Sequence, residues 1–410
     1  MPNPRTAALA EAIVASRPEA DPAAMGAARI ALVDFLACAL AGSTDPSLAI
    51  VRGVFGDAPG RALVIGSAQP ADPFLAALLN GHAGHVLDYD DVHASVRGHP
   101  TTVIVPALLA ALDPDALPSA DAFLAAYLVG LETMAHLGRA IGPAHYERGF
   151  HATATLGPLG AAAAIAHLRG FSAGTTAIAL GLAATQAAGL RLQFGSDAKP
   201  LHAGLAARNG LAAARLAEAG LSGADDCLDG PNGFLQAYGF GEEAPERVLE
   251  GWGAPWQIVR PGLTLKAFPC CTAAHPVAVA GLALHREGIR DLARATITFP
   301  PGGDAALVVR TPRTGIEARF RVERRHDQTA RRLSSDPSTR FVVVELTDGQ
   351  GRTHERRIDG LPGLADADDK FRDATAASEA LRTVPDRVRA MQDATDLARL
   401  LACLAQPRQP

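Results

Sequence analysis

From Thr6 to about Gly253 the chain repeats one pattern. Apolar stretches with a three-to-four-residue period, built largely from Ala, Leu and Gly, are cut apart by Gly, Pro and Asp. That period lines apolar side chains along one face of a helix, whereas a half-buried strand alternates at every second residue. Most of the chain is thereby restricted to helices. Aromatic residues make up only 5% while 48% are apolar, so the core has to be assembled from small aliphatic side chains. These let helix axes approach closely and favour helices over a β-sandwich.

The segment DPAAMGAARIALVDFLACALAG sets the type: Asp21 reads as a cap, Pro22 fits a first helical turn, and Gly42 is a stop. The runs beginning at Asp72, Thr101, Ser119, Leu156, Ala173 and Gly204 read the same way. After Trp256 the texture changes. ATITFPP, DAALVVRTP and TRFVVVELTDGQGRTHERRI are β-rich, the last a hairpin around DGQG. The tail, from ASEALRT onward, returns to helical periodicity. The expected fold is mainly α: a large, discontinuous all-helical domain of residues 1–262 and 366–410, with a smaller α+β domain over 263–365.

The net charge is −5 and no Lys/Arg-rich run precedes the short ERRHDQTARR segment, so nucleic acid is not expected as a partner. An anionic ligand would need its binding charge concentrated in a pocket. Five cysteines lie scattered without a CxxC, which fits a reduced, cytoplasmic protein. The N-terminus lacks the basic start and apolar centre of a signal peptide, and the apolar runs read as interrupted and too short to span a bilayer. No membrane partner is expected.

Four polar islands interrupt this background. HVLDYDDVHASVRGHP, His85 to Pro100, gathers Asp88, Asp90, Asp91, His93, Arg97 and His99 where a helix ends. Metal binding, acid–base catalysis and a solvated capping loop all remain open for it. The sixth-position Gly and twelfth-position Glu of an EF-hand are missing, HExxH is absent, and the spacing matches no closed zinc site. The second island, ERGFHATATLG, puts His151 just before an Ala/Gly-rich helix, where unpaired N–H groups favour an anion. In the third, FGSDAKPLHAG, Lys199 reads as part of a turn ahead of a helix. The fourth, LKAFPCCTAAHPVAVAG, clusters Lys266, Cys270, Cys271 and His275, and a Cys–His nucleophile pair is one reading of it. Neither a P-loop nor a GxSxG elbow occurs, and no GxGxxG follows a clear strand.

In this order NGHAGHVLDYDDVH with its GHP, GFHATATLG, KPLHAG with AARNGLAAARLAEAGLSG and GPNGF, KAFPCCTAAH and TPRTGIEARF resemble the MmgE/PrpD family, over about Ala28 to Phe371. Members include 2-methylcitrate dehydratase, cis-aconitate decarboxylase and iminodisuccinate epimerase. The resemblance implies a large helical domain completed by the C-terminal segment, a smaller α+β lid domain, no metal or organic cofactor, and a homodimer. It implies proton transfer next to a carboxylate of a small di- or tricarboxylic acid. Motif position assigns the catalytic set to Asp88, His99, His151, Lys199 and Lys266, with Arg97, His93, Cys271 and His275 as substrate-binding candidates and no metal ligand.

Val92, Cys271 and Arg324 stand where the decarboxylases carry a threonine, a histidine and a tyrosine. HDQTARRLSSDPSTRF reaches the strand at Phe341 almost at once, where members carry a few dozen more residues. The expected function is a lyase that dehydrates such an acid, with His99 and His151 as the proton-transfer pair. Epimerisation, decarboxylation and a catalytically altered binding scaffold are the alternatives.

Overall fold

A computed structural model describes residues 5–56, 59–289, 292–301, 321–331, 341–360, 366–376, 378 and 381–407. The chain divides into two compact units: Met1–Arg191, Asp197–Leu265 and Asp366–Pro410 form the first, Leu192–Ser196 and Lys266–Ala365 the second.

The first unit is helical. Its helices are α1 (Arg5–Ala15), α2 (Pro22–Gly42), α3 (Pro46–Phe55), α4 (Pro73–His85), α5 (Thr101–Ala111), α6 (Ala120–Ile141), α7 (Ala144–Glu147), α8 (Ala152–Leu168), α9 (Ala173–Ala184), α10 (Ala198–Glu218) and α11 (Phe234–Gly239). The starts follow from side-chain caps. Asp21 accepts from the N–H groups of Ala23 and Ala24, Asp72 from those of Phe74 and Leu75, and Ser119 from that of Ala122. Each such cap contributes about 1 kcal/mol. Helix α10 packs on α4 and α8, and α6 on α8. Small residues set these separations: a Cβ on Gly81 of α4 would lie 2.8 Å from Gly204 Cα of α10, so an alanine there would force apart the two helices that carry His85 and Lys199.

Two expectations change here. Lys199 lies in the first turn of α10, after Asp197 at the N-cap position, instead of in a turn before the helix. The Gly, Ser and Asp of the preceding segment read as a turn that runs on to Lys199, and Pro200 follows it directly. A first-turn proline is nonetheless tolerated, since its missing N–H would have had no intrahelical partner. The second change concerns α2, whose 21 residues have a mean hydropathy of 1.8 over the best window, enough in length and composition to cross a bilayer. In this fold α2 is a core helix packed on α4 and on the C-terminal segment. It carries Asp34, which is fully buried in an ion pair.

A short antiparallel pair, β1 (Val92–His93) with β2 (Leu263–Thr264), ties the loop after α4 to the end of the helical sequence, with Val92 opposite Thr264. This pairing carries the first unit to Leu265, past residue 262.

In the second unit α12 (His275–Arg286) accompanies a four-stranded sheet of β3 (Leu292–Phe299), β4 (Arg321–His326), β5 (Phe341–Asp348) and β6 (Thr353–Asp359), in the order β4-β3-β5-β6. Strands β3 and β4 run parallel, and the other pairs are antiparallel. Ala280 and Leu284 of α12 pack with Ala295, Phe299, Val342, Val344 and Leu346 into a separate small core. The DGQG turn closes where Asp348 accepts from the N–H groups of Gln350 and Arg352. DAALVVRTP and TPRTGIEARF lie outside the described residues.

The chain then returns to the first unit as α13 (Ala367–Ala374), α14 (Val384–Ala390) and α15 (Ala394–Leu404). Helix α13 docks on α2 through Lys370, whose Nζ lies 2.6 Å from Asp34 Oδ1 and 2.5 Å from the Tyr89 carbonyl. Burial opposes that charge, but the Cys38 and Asp34 groups beside it hold the ammonium above the ordinary lysine range.

Candidate active site

The site grows from the end of α4. His82 and His85 occupy its last turn, but only His85 turns into the cluster, because His82 Nε2 is 2.8 Å from Ser47 Oγ. The chain then bends sharply. Asp88 adopts φ +50°, a left-handed conformation that L-residues other than Gly, Asn and Asp rarely hold. The bend lets Asp88 and Asp90 face the same group of imidazoles.

His85 Nδ1 lies 2.9 Å from each carboxylate oxygen of Asp90. His99 Nδ1 lies 3.2 Å from Asp90 Oδ2 and 2.8 Å from the Asp91 carbonyl. An ionised carboxylate and a carbonyl only accept, so both Nδ1 atoms carry the proton and donate it, and the Nε2 atoms are the variable ones. The His85 and His99 ring centroids are 4.4 Å apart. Burial works against the Asp90 charge, yet the two imidazoles more than offset it and hold the carboxyl well below the usual range. Burial drives His85 the other way, down to about 3, with Lys199 and His99 adding to the effect against the pull of Asp90.

His151 enters from the N-cap of α8, where its N–H donates to the Gly189 carbonyl at 3.0 Å. Its ring stacks 5.9 Å from that of His85, and its Nδ1 is 3.2 Å from Nδ1 of His202. Burial, then the positive potential of His85, Lys199, His99 and His202, keeps His151 well below the usual histidine range. The same helix start locates His99, whose N–H donates to Thr153 Oγ1 at 3.0 Å. The residue before it must be glycine, since a Cβ on Gly98 would fall 2.7 Å from that oxygen. From α10, Lys199 Nζ reaches Asp88 Oδ1 at 2.7 Å, and His99 Nε2 is 3.9 Å from the same oxygen. Lys199 and His202, three apart, share one helix face.

The fold thus gathers Asp88, His99, His151 and Lys199 into one cluster and adds His85, Asp90 and His202. The signal for Lys199 with His202 was their helical spacing, masked by the turn-like Gly/Ser/Asp segment before them. His85 and Asp90 stood in the same polar island, but nothing in their order revealed that they face each other. The substrate-binding candidates of the first unit fare differently. His93 has both ring nitrogens engaged: Nδ1 accepts from the Ser95 N–H at 3.2 Å and Nε2 donates to the Gln257 carbonyl at 3.0 Å. It therefore acts as a structural link from β1 to Ser95 and Gln257. Arg97 has φ +54°, and its electrostatic neighbours are Glu147, Tyr146 and Glu242. Lys266, Cys271 and His275 belong to the second unit. There His275 Nε2 lies 3.2 Å from the Phe268 carbonyl, and Cys271 occupies the position before the short turn Thr272–Ala274 without capping it through its side chain.

One donor atom each from His85, Asp88, Asp90 and His99 falls within 4.8 Å of the others, a spacing that could hold a metal ion. One of these donors is already engaged: the Lys199 ammonium lies on Asp88, and a divalent ion there would have to displace it. The Nδ1 protons directed at Asp90 leave Nε2 as the ring atom that would meet a cation.

A profile of the MmgE/PrpD N-terminal domain matches residues 7–247. The chain belongs to the MmgE/PrpD family. Among curated proteins it is 33% identical over 263 residues to the cis-aconitate decarboxylase of Aspergillus terreus, covering 60% of this chain and 53% of that protein. It is 33% identical over 287 residues to the cis-aconitate decarboxylase-like protein oryM of Aspergillus oryzae, covering 66% and 59%. It is 32% identical over 246 residues to the cis-aconitate decarboxylase of Mus musculus, covering 58% and 49%. The chain spans about half the length of the curated relatives it matches. The part of the MmgE/PrpD chain that matches the profile contains every member of the cluster built above.

Proposed function

We propose that this MmgE/PrpD chain is a metal-independent lyase acting on a small di- or tricarboxylic acid, by histidine-mediated proton transfer at a carbon next to a carboxylate. The observation that carries the reading is the packing of the His85, His99 and His151 imidazoles beside the Asp88–Lys199 pair. A neutral imidazole with its Nδ1 proton committed to Asp90 or to the Asp91 carbonyl presents a basic Nε2 lone pair, which can take a proton from carbon. An ammonium beside it stabilises a substrate carboxylate and the enediolate charge that develops as the proton leaves. An acidic protein thereby binds an acidic substrate through a local positive charge.

Dehydration is the finer reading. The C–H bond next to the carboxylate breaks, its proton goes to an imidazole, and the electron pair expels the hydroxyl group. That group leaves as water after protonation by the second ring, which enters the step as imidazolium and ends it neutral. His99 and His151 supply the pair, Asp88 orients Lys199 and faces His99, and Lys199 holds substrate charge. Decarboxylation is the second reading, favoured by the activity named for the relatives from Aspergillus terreus and Mus musculus. There a carbon–carbon bond breaks, CO₂ leaves, and an imidazolium protonates the resulting carbanion.

The experiment is proton NMR of chelator-treated protein in D₂O with methylcitrate, citrate, cis-aconitate and iminodisuccinate. Deuterium at a carbon next to a carboxylate, or a new alkene signal, supports the reading and separates the two reactions. A silent panel, or activity that requires added metal, refutes it.

A further inference from the structure

His85 plays no part in the proton-transfer pair proposed above, yet its surroundings are those of a working imidazole. It is 1% exposed, and Nδ1–H is held by both oxygens of Asp90. Its Nε2 is buried and has no hydrogen-bond partner among the described residues. A buried nitrogen left in that state is desolvated without a compensating bond, and such a group calls for a functional reason. The ring stands between the other two imidazoles, 4.4 Å from His99 and 5.9 Å from His151 by centroids.

We propose that His85 is a proton relay of this site, its Nε2 receiving the proton that a substrate-facing imidazole has taken, with Asp90 as the fixed counter-charge. The inference rests on the lyase reading above. The proton leaves carbon for the nitrogen of His99 or His151, then passes to the lone pair of His85 Nε2. The imidazolium so formed keeps its Nδ1–H on Asp90, and the return step reverses the path. No oxidant or further reactant is needed. The groups facing His85 are Asp90 and His99 from the loop after α4, His151 from α8 and Lys199 from α10. Burial disfavours the protonated ring most, Asp90 opposes that effect, and Lys199 and His99 add to it, so the lone pair is available across the neutral range.

The test turns on an asymmetry between substitutions. In His85→Asn the amide can still donate to Asp90 from about the place of Nδ1, but no basic nitrogen replaces Nε2. A relay predicts a kcat at least about 10²-fold lower with KM within about threefold, and partial rescue of His85→Ala by added imidazole. If His85 only braces Asp90, His85→Asn works within about threefold of wild type, and the proposal is wrong. Nitrogen-15 correlation spectra of the unliganded protein give a readout independent of turnover. They should show His85 protonated at Nδ1 and bare at Nε2. Should the wild-type protein be silent toward every acid in the panel, the lyase reading falls, and an Nε2–H tautomer in these spectra overturns the His85 proposal by itself.

Discussion

Replacing Lys370 by methionine tests how the C-terminal segment supports the site. Lys370 is one of the largest fully buried side chains, its ammonium bonded to Asp34 and to the Tyr89 carbonyl. Tyr89 lies between Asp88 and Asp90, so this one side chain connects α13, α2 and the loop that holds the cluster. Methionine preserves most of the volume and removes the charge. Asp34 then sits in the core without the cation it pairs with, and removing one partner of a buried ion pair costs about 3–5 kcal/mol. At about 2–4 °C per kcal/mol for a unit of this size, Tm should fall by roughly 6–20 °C.

The sign of the pH dependence follows. In the variant, the Asp34 carboxyl in the folded state has a pKa raised above its unfolded value near 4. The loss is therefore smallest at about pH 4 and grows toward pH 7, as the unfolded carboxyl ionises and the folded one resists. Adding Asp34→Leu should restore most of the stability, because a well-packed apolar pair avoids the desolvation of both charges. Urea unfolding followed by circular dichroism at pH 4.5 and 7 measures all three proteins. A Lys370→Met loss below about 1 kcal/mol at pH 7, or no gain from the second substitution, would refute the reasoning.

Three further outcomes are expected. Asp90→Asn removes the charge and one of the two acceptor oxygens and sets an amide N–H where His85 Nδ1–H now donates, costing one charge-assisted bond of about 1.5–3 kcal/mol. Its kcat should drop roughly 10- to 150-fold in a coupled or NMR assay, and an unchanged kcat would argue against Asp90 as the clamp. Asp91 is buried near Asp34 and Asp90, its carboxyl pushed up to about 8 by burial first and by those charges second. Folding then takes up a proton between about pH 4 and pH 8, a range in which wild-type stability should decline relative to Asp91→Asn, as paired urea midpoints would show. Lys199→Met removes the cation beside Asp88, so KM for a dicarboxylate should rise and kcat fall by at least tenfold, with retained circular dichroism; an intact KM would place substrate charge elsewhere.

Much of the fold was legible before any coordinate. The Asp21, Asp72 and Ser119 caps fell where the sequence put them, since a cap and the N–H groups that it satisfies lie within a few residues of each other. The return of the C-terminal segment to helical texture was equally plain. Less legible were features in which a local rule competes with a distant partner. The Gly, Ser and Asp ahead of Lys199 read as a turn, yet the helix starts at Ala198, and Pro200 is tolerated in its first turn because it costs no hydrogen bond there. The length of α2 suggested nothing unusual in sequence, yet burial by neighbouring helices is what makes so apolar a segment a core element.

By itself the sequence determined a mainly helical chain of small apolar residues, the four polar islands and, through their order, the family. Those are properties of residue type and spacing along the chain. The tertiary structure decided which polar groups meet. It turned His82 to Ser47 and His85 to Asp90, committed His93 to a backbone carbonyl, and set Lys199 against Asp88. It also brought Lys370 to the back of the loop from 281 positions away. Contacts of that kind depend on helix packing distances of a few ångströms, to which side-chain pairing is sensitive and linear spacing is blind.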